Sequence, residues 1–472
     1  MVATQCRDPK FVFQGVGSRA LVAQFNGGTI TSDAGALLLR QLEARRRIVS
    51  QFATCFTDHR DPARIDHPLE HLVAQRVFGL VLGYEDVNDH DLLRHDPLLA
   101  AVVGKDDPTG QTRRRERDRG KALAGKSTLN RLEIRTDDPA RDGKYKKISA
   151  DTQAIDRVFV ELMLQAYDEA PPRIIIDADA TDDPLHGEQE GRFFHGYYGH
   201  YCYLPLYLFA GRHLLVARLR ESNIDASKGI VEELERVVAQ IRSAWPEVEI
   251  WVRADSGFAR EELMAWCEAN RVEYVLGLAR NSRLEAEIAP WLERAKIAHE
   301  ITRTPARLFH EFVYETRETW SRARRVVAKA EHLAKGANPR FIVTSLSAYE
   351  VDARTLYEQV YCERGEMENR IKEQQLDLYA DRTSTHELRS NQLRLYFSSL
   401  AYVVLSELRR LGLEGTELER AQCGTIREKL LKIGAQVRVS VRRVVVALSS
   451  AFVGQELFAA VYRRLEATPM RC

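Results

Sequence analysis

The sequence predicts a mixed α/β layer fold with a mostly helical region in front of it. Three observations carry this. Between residues 172 and 278, short β-branched runs alternate with amphipathic helical runs. Within the first 150 residues, apolar side chains instead recur every three or four positions. Two of the apolar strand-like runs also end on acids, the pattern of a sheet that delivers charge to one edge.

The elements follow in order. After a short extended lead, FVFQGVG, and the turn GGTITSD, the run AGALLLRQLEARRR is amphipathic. HPLEHLVAQRVFGLVLG carries Leu69, Leu72, Val73, Val77, Leu80 and Val81 at helical spacing, with Pro68 near its start. RRRERDRGKALAGKSTLNRLEI comes next, and the charged, turn-rich residues 137–147 read as a linker or exposed loop. PPRIIIDADATDD, HYCYLPLYLFAG and HLLVARLRE read as strands, the last two joined by the turn Ala210–Gly211–Arg212. KGIVEELERVVAQIRSAW is a helix, VEIWVRADSGF a strand, AREELMAWCEANR a helix and EYVLGL a strand. Residues 281–346 change texture: LFHEFVYET, RRVVAKAEHL and PRFIVTSL are charged and strand-like, which suggests an inserted β-rich subdomain. VDARTLYEQVYCERGEMENRIKEQQLDL reads as one long helix, NQLRLYFSSLAYVVLSELRRL as another, and a basic tail closes the chain. The expected organisation is therefore 1–150, 151–280, 281–346 and 347–472, with no internal repeat.

Composition narrows the class. The chain has 472 residues, 44% hydrophobic and 29% charged, enough for two or three globular domains. No stretch approaches the roughly 20 apolar residues of a bilayer span, and the start lacks a secretory pattern. Seven scattered cysteines with no Cys-x-x-Cys pair fit a reducing cytoplasm better than a disulfide framework or zinc ribbon. Net charge is only +1, but residues 101–150 hold fourteen Lys or Arg against eight Asp or Glu. Residues 401–472 hold twelve against seven, so basic flanks surround an acidic remainder. A polyanion-binding protein with a carboxylate site would show this distribution, and so would ordinary solvated faces.

One motif is rejected. Gly120 to Ser127 matches G-x-x-x-x-G-K-[ST], which in nucleotide-binding enzymes cradles phosphates. That loop needs a buried apolar strand before it, and Arg113–Arg119 is instead a solvated basic run. A helix capped by Ser127 fits better, with Leu129 and Leu132 inward and Lys126, Asn130, Arg131 and Arg135 exposed. A helix-turn-helix would present such a helix to DNA; an exposed basic helix without base contacts is the alternative. His186, His195, His200 and Cys202 fit no standard zinc spacing.

Carboxylates carry the chemistry. Asp177 and Asp179 share one face of a strongly apolar strand, where unpaired acids are costly; a cation or an Arg partner would resolve that. Asp255 ends a second apolar strand, with Gly257 permitting a sharp exit. On the long helix, Tyr361, Arg364, Glu368, Lys372 and Gln375 fall on one stripe. A Glu flanked by cations suits a metal ligand beside phosphate-gripping groups, or a salt-bridged surface helix.

Asp, Asp and a distant helical Glu in this order resemble the DDE transposases of bacterial insertion sequences. Tyr361, Arg364 and Glu368 resemble the Y-R-E-K signature of one branch. DATDDPLHG, EGRFFHGYYGHYCYLPLYLF, RADSGF, GGTITSDAGALLL and the segment from Tyr361 through LRSNQLRLYFSSLAYVV are similar to the insertion-sequence-1380 family. The resemblance implies an RNase H-like catalytic core interrupted by a β-rich insertion and preceded by a mostly helical DNA-binding region. It implies a catalytic, metal-binding triad of Asp179, Asp255 and Glu368, Asp179 being preferred to Asp177 because Asp179-Ala-Thr181 resembles the family's D-x-T phrase. Gln375 stands where the signature has Lys, and Lys372 is the substitute one turn earlier. The implied chemistry is cleavage at element ends and strand transfer with two Mg²⁺ ions, or Mn²⁺ in their place. Tyr361, Arg364 and Lys372, with Lys126, Asn130 and Arg131, would contact DNA. The implied partners are double-stranded DNA, both terminal inverted repeats and target, and a second copy in a synaptic dimer at the bacterial nucleoid. A nuclease of the same fold without strand transfer, or an inactive DNA-binding protein, are the alternatives.

Overall fold

The computed structural model describes residues 10–133 and 147–471. Arg135 and the linker assigned to 137–147, apart from Lys147, lie outside the described residues.

Strands β1 (Lys10–Val16) and β2 (Arg19–Gln24) form an antiparallel hairpin whose side chains are exposed on both faces. Helices α1 (Ala36–Arg46) and α2 (Leu69–Val81) follow, then α3 (Lys126–Glu133) and α4 (Thr152–Leu164). Asp151 starts α4 by accepting the Ala154 N–H. α3 begins at Lys126, so Ser127 lies inside its first turn rather than capping it, while Leu129 and Leu132 are buried as expected. No strand leads directly into Gly120; Arg113–Arg119 is irregular with one short turn of 3₁₀ helix, consistent with rejecting a phosphate loop.

From residue 173 the chain builds one large sheet. β3 (Arg173–Ala180) comes first, and a small three-stranded sheet of β4 (Asp183–Pro184), β5 (Phe193–His195) and β6 (His200–Tyr203) follows at once. The chain continues through β7 (Leu206–Ala210), β8 (His213–Arg218), α5 (Ile230–Ala244), β9 (Glu249–Ala254), α6 (Glu261–Ala269) and β10 (Glu273–Leu278). Then come α7 (Ser282–Thr302), β11 (Ala306–Tyr314), β12 (Arg324–Leu333) and β13 (Arg340–Thr344). The strand order is β8-β7-β3-β9-β10-β13-β12-β11, with the two-residue strand Gly336–Ala337 paired to β12. β3, β9 and β10 are parallel; the other pairings are antiparallel. α6 is the helical crossover that joins the parallel neighbours β9 and β10, and α5 carries the chain from the edge strand β8 past β7 and β3 to β9.

The three strand-like pieces of 281–346 fold as β11, β12 and β13, and they extend the same sheet. Residues 282–302 are helical, which the strand-rich reading of this segment missed. The physical reason is a thin buried stripe, Leu284, Ile288 and Ala295, interrupted in the sequence by Pro290. Asn281 caps this helix by accepting the N–H groups of Arg283 and Leu284.

A nearly continuous helix, α8 (residues 353–377), passes from α- through π- and 3₁₀-geometry and back. α9 (Leu388–Leu408) follows, and the basic tail folds as the ribbon β14 (Ala435–Val439) and β15 (Val444–Leu448) and the helix α10 (Gln455–Ala467).

Alternation within the strands divides the interior. Ile174, Ile176 and Ala178 of β3 belong to a core on one face of the sheet that also holds Leu234 and Ile241 of α5, Leu263 of α6 and Leu284 of α7, the last helix packing over β11 and β12. On the opposite side, Tyr207 and Phe209 of β7 join a second core that runs from Ala34 to Leu465. α9 lies at its centre, with all but three of its 21 residues buried. The helix is buried nearly all round, its polar Asn391, Gln392 and Ser398 hydrogen-bonded inside, and it unites the N-terminal helices, the C-terminal elements and the sheet.

Candidate active site

β3 and β9 are parallel neighbours, so their C-terminal ends open at the same sheet edge. That edge is where open α/β sheets bind ligands. Asp177 and Arg253 sit side by side in the register. Arg253 donates to both Asp177 oxygens, at 2.5 and 2.8 Å, and also to the Val360 carbonyl of α8. The pair is buried. Asp177 thus has its Arg partner, and the bridge fastens two strands to the helix.

Asp179 lies one alternation further toward the edge. Its Oδ1 accepts the Ala180 N–H at 2.9 Å, and its Oδ2 lies 3.6 Å from the Arg364 guanidinium. Burial pushes its carboxyl up to about 7; Arg364 opposes that, while Asp255 and Glu368 add to it. The three acids therefore lie in one electrostatic neighbourhood. Arg364 also donates to Glu368 Oε1 at 2.7 Å, so one guanidinium bridges an acid of β3 and an acid of α8. The Glu368 side chain is 44% exposed and that of Asp179 16%. Asp255, just past β9, holds its turn by accepting the Gly257 N–H at 2.9 Å.

Tyr361 reaches the same neighbourhood. Burial raises its hydroxyl pKa, Arg364 lowers it and Asp255 adds to the rise. A Cβ on Gly277 of β10 would come within 2.6 Å of the Tyr361 hydroxyl and 2.8 Å of the Ser256 nitrogen. Only glycine admits both neighbours. Neither Gly277 nor Arg253 stands out in the sequence, because each acts through a partner far away in the chain.

The other sequence-derived residues are placed as follows. Lys372 is exposed, one turn beyond Glu368. Gln375 Nε2 donates to Asp183 Oδ1 at 2.9 Å and to the Asp182 carbonyl at 3.0 Å. Burial pushes the Asp183 carboxyl up to about 8, so a neutral amide meets a protonated acid where the signature would have a cation. Lys126, Asn130 and Arg131 lie on α3, where Lys126 is exposed beside Asp91 but Asn130 and Arg131 are half-buried rather than exposed, because the helix packs against α2 and α9. Its last residue, Glu133, is buried between Arg76 and Arg394 at 2.8 Å from each. His200 Nε2 donates to Asp182 Oδ2 at 2.7 Å, and Cys202 is buried. Among the described residues no group of three or more His, Cys, Asp or Glu is arranged to hold a metal ion as it stands. Around Asp179 and Glu368, the Arg364 guanidinium supplies the positive charge.

The profile of one family, described as Transposase DDE domain group 1, matches residues 13–470. The chain belongs to this family. A DDE transposase domain thus spans nearly the whole chain and includes both parallel strands and α8. No curated protein matches the sequence. Among solved structures, the cryo-EM structure of a piggyBac transposase synaptic complex with hairpin DNA is similar at 11% identity and a TM-score of 0.42. The match covers 93% of this chain and 83% of that one. No helix of the described DDE chain is long and apolar enough to cross a membrane.

Proposed function

We propose that the chain cuts DNA at the ends of a mobile element and joins them to target DNA, using Asp179, Asp255 and Glu368 as its catalytic acids. One observation carries this: the three acids share a field, and Arg364 bridges two of them at a sheet edge. The strand order β8-β7-β3-β9-β10 agrees with an RNase H-like core, and β11 to β13 with α7 form the insertion before the Glu-bearing helix. Tyr361, Arg364 and Glu368 would then be the signature of the insertion-sequence-1380 branch, with Gln375 in the Lys position.

The donor set suits a hard divalent cation: the ligands are all oxygen, and the carboxyl of Asp179, raised chiefly by burial and further by Asp255 and Glu368, would gain from a cation beside it. Asp179, Asp255 and Glu368 would hold Mg²⁺ or Mn²⁺, which supplies activation of the attacking oxygen and stabilisation of the leaving one. Arg364 must then release Glu368, and its guanidinium is free to grip a phosphate beside the scissile bond. Tyr361 and the Gly257 turn fix the directions of Arg364 and Asp255. Lys372 and the helix α3, through Lys126, Asn130 and Arg131, extend the DNA contacts, and two copies bring two ends together.

Asp255→Ala should lower Mg²⁺-dependent cleavage of element-end DNA by about a thousandfold or more while DNA binding persists. Equal loss of binding and cleavage would count against the assignment. A strand-transfer assay separates a transposase from a nuclease that only cuts.

A further inference from the structure

We propose that the exposed aromatic rings of the β5–β6 ribbon, Phe194, Tyr197 and Tyr201, bind unpaired nucleobases of the DNA strand cut at the neighbouring acids. The inference rests on the DNA-cleaving reading above and adds a binding site to it.

The ribbon's position is set by the chain. β3 carries Asp179, and β4 starts only four residues later. β7, which follows the ribbon, pairs Tyr207 with Asp179. The small sheet is therefore an excursion from the sheet edge that holds the acids. Its other side is tied to the segment after α8: the Glu190 N–H donates to the His386 carbonyl at 2.8 Å, and Gln189 Nε2 to the Thr383 carbonyl at 3.0 Å. Tyr198, at the tip, has its hydroxyl pushed up to about 12 by burial, then by Asp182 and Asp179, which puts it in the field of the acid group.

The surface itself is unusual for one left to water. Phe194 and Tyr201 are cross-strand partners with ring centroids 5.6 Å apart, and both are exposed. Tyr197 at the tip is 87% exposed. The Arg192 guanidinium lies 4.6 Å from the Tyr201 ring centre, adding a cation to the rings. Clustered exposed rings mark a contact surface. Rings mixed with an arginine beside a phosphodiester-cutting site match a nucleobase and its phosphate, since every base offers a π-face. Acids recessed at a sheet edge reach a duplex phosphate more readily when the flanking bases are unpaired, and this surface would hold them so.

The test compares the full chain with the triple variant Phe194→Ala, Tyr197→Ala, Tyr201→Ala. Fluorescein-labelled oligothymidylate of about 20 nucleotides and a duplex of equal length are the probes. The single-strand affinity should fall at least about fivefold, with duplex affinity within about twofold. Tyr197→Phe with Tyr201→Phe should keep single-strand binding, and circular dichroism of the exposed-ring variants should match the parent. Unchanged single-strand affinity, equal loss on both probes, or no single-strand binding by the parent overturns the proposal. So does loss of self-association in sedimentation with single-strand affinity intact, which would give the rings to a second copy. If the parent binds the single strand through these rings yet cuts no DNA with Mg²⁺, the cleavage reading fails and the base-binding surface stands.

Discussion

At the scale of single residues, two carboxylates of β3 have been given different environments by one alternation of the strand. Burial raises both carboxyls, but Asp177 is held by a two-point bridge to Arg253, whereas Asp179, at about 7, has only the more distant Arg364 against burial and two other acids. Breaking the first pair should be expensive. Arg253→Met leaves a buried, unpaired carboxylate and frees the Val360 carbonyl, and urea unfolding should show a loss of about 3–5 kcal/mol. Asp183 makes the opposite case, an acid held neutral. Its pKa rises from 3.8 to about 8, chiefly through burial. In that window the folded chain keeps a proton that the unfolded chain has lost, so stability falls as pH rises. The contribution is whole below the unfolded pKa and lost as pH passes through about 8. Asp183→Asn, which preserves an acceptor for Gln375, should flatten the decline of the urea midpoint between these limits. An unchanged slope would show that Asp183 is ionised in the folded chain.

At the scale of elements, what the sequence discloses depends on length and on range. The alternation between residues 173 and 278 is legible because each strand is bounded by turns and each helix shows its buried stripe, as Ile230, Leu234, Val237, Val238 and Ile241 do in α5. α7 is not legible, since Leu284, Ile288 and Ala295 are too few to set a period. β4 and β5 run two and three residues, too short for any pattern, and the run HYCYLPLYLFAG, read as one strand, is split at Leu204–Pro205 into β6 and β7. Asp177, Asp179, Asp255 and Glu368 draw notice because acids at the ends of apolar strands and on a mixed-charge helical stripe are locally odd, but choosing Asp179, Asp255 and Glu368 among them rests on the family resemblance. Arg253 and Gly277 cannot, because register decides their roles: Arg253 meets Asp177 across 76 positions, and Gly277 is pressed against Tyr361 from another element. Gly277→Ala tests that contact between β10 and α8. The added methyl should displace Tyr361 and the Asp255 turn, costing about 1–3 kcal/mol in thermal unfolding and roughly a hundredfold in DNA cleavage. Full activity would mean that α8 can shift without consequence.

At the scale of the whole molecule, a net charge of +1 conceals the basic segments at 101–150 and 401–472. Phosphate contacts from these segments would release counter-ions, so DNA affinity should fall by orders of magnitude between about 50 and 200 mM salt. A flat response would place binding elsewhere. The fourfold organisation expected from texture also meets a different interior, because the N-terminal helices and the C-terminal elements share one core around α9. That sharing has a consequence for synthesis. Helix α1 packs on early neighbours at residues 48–53 and 97–103 but also on α9 and α10, so part of its apolar face stays uncovered until the last elements leave the ribosome. A chain stopped before α10 would leave that face open to water, and the expected sign is clumping or rapid proteolysis of the truncated product.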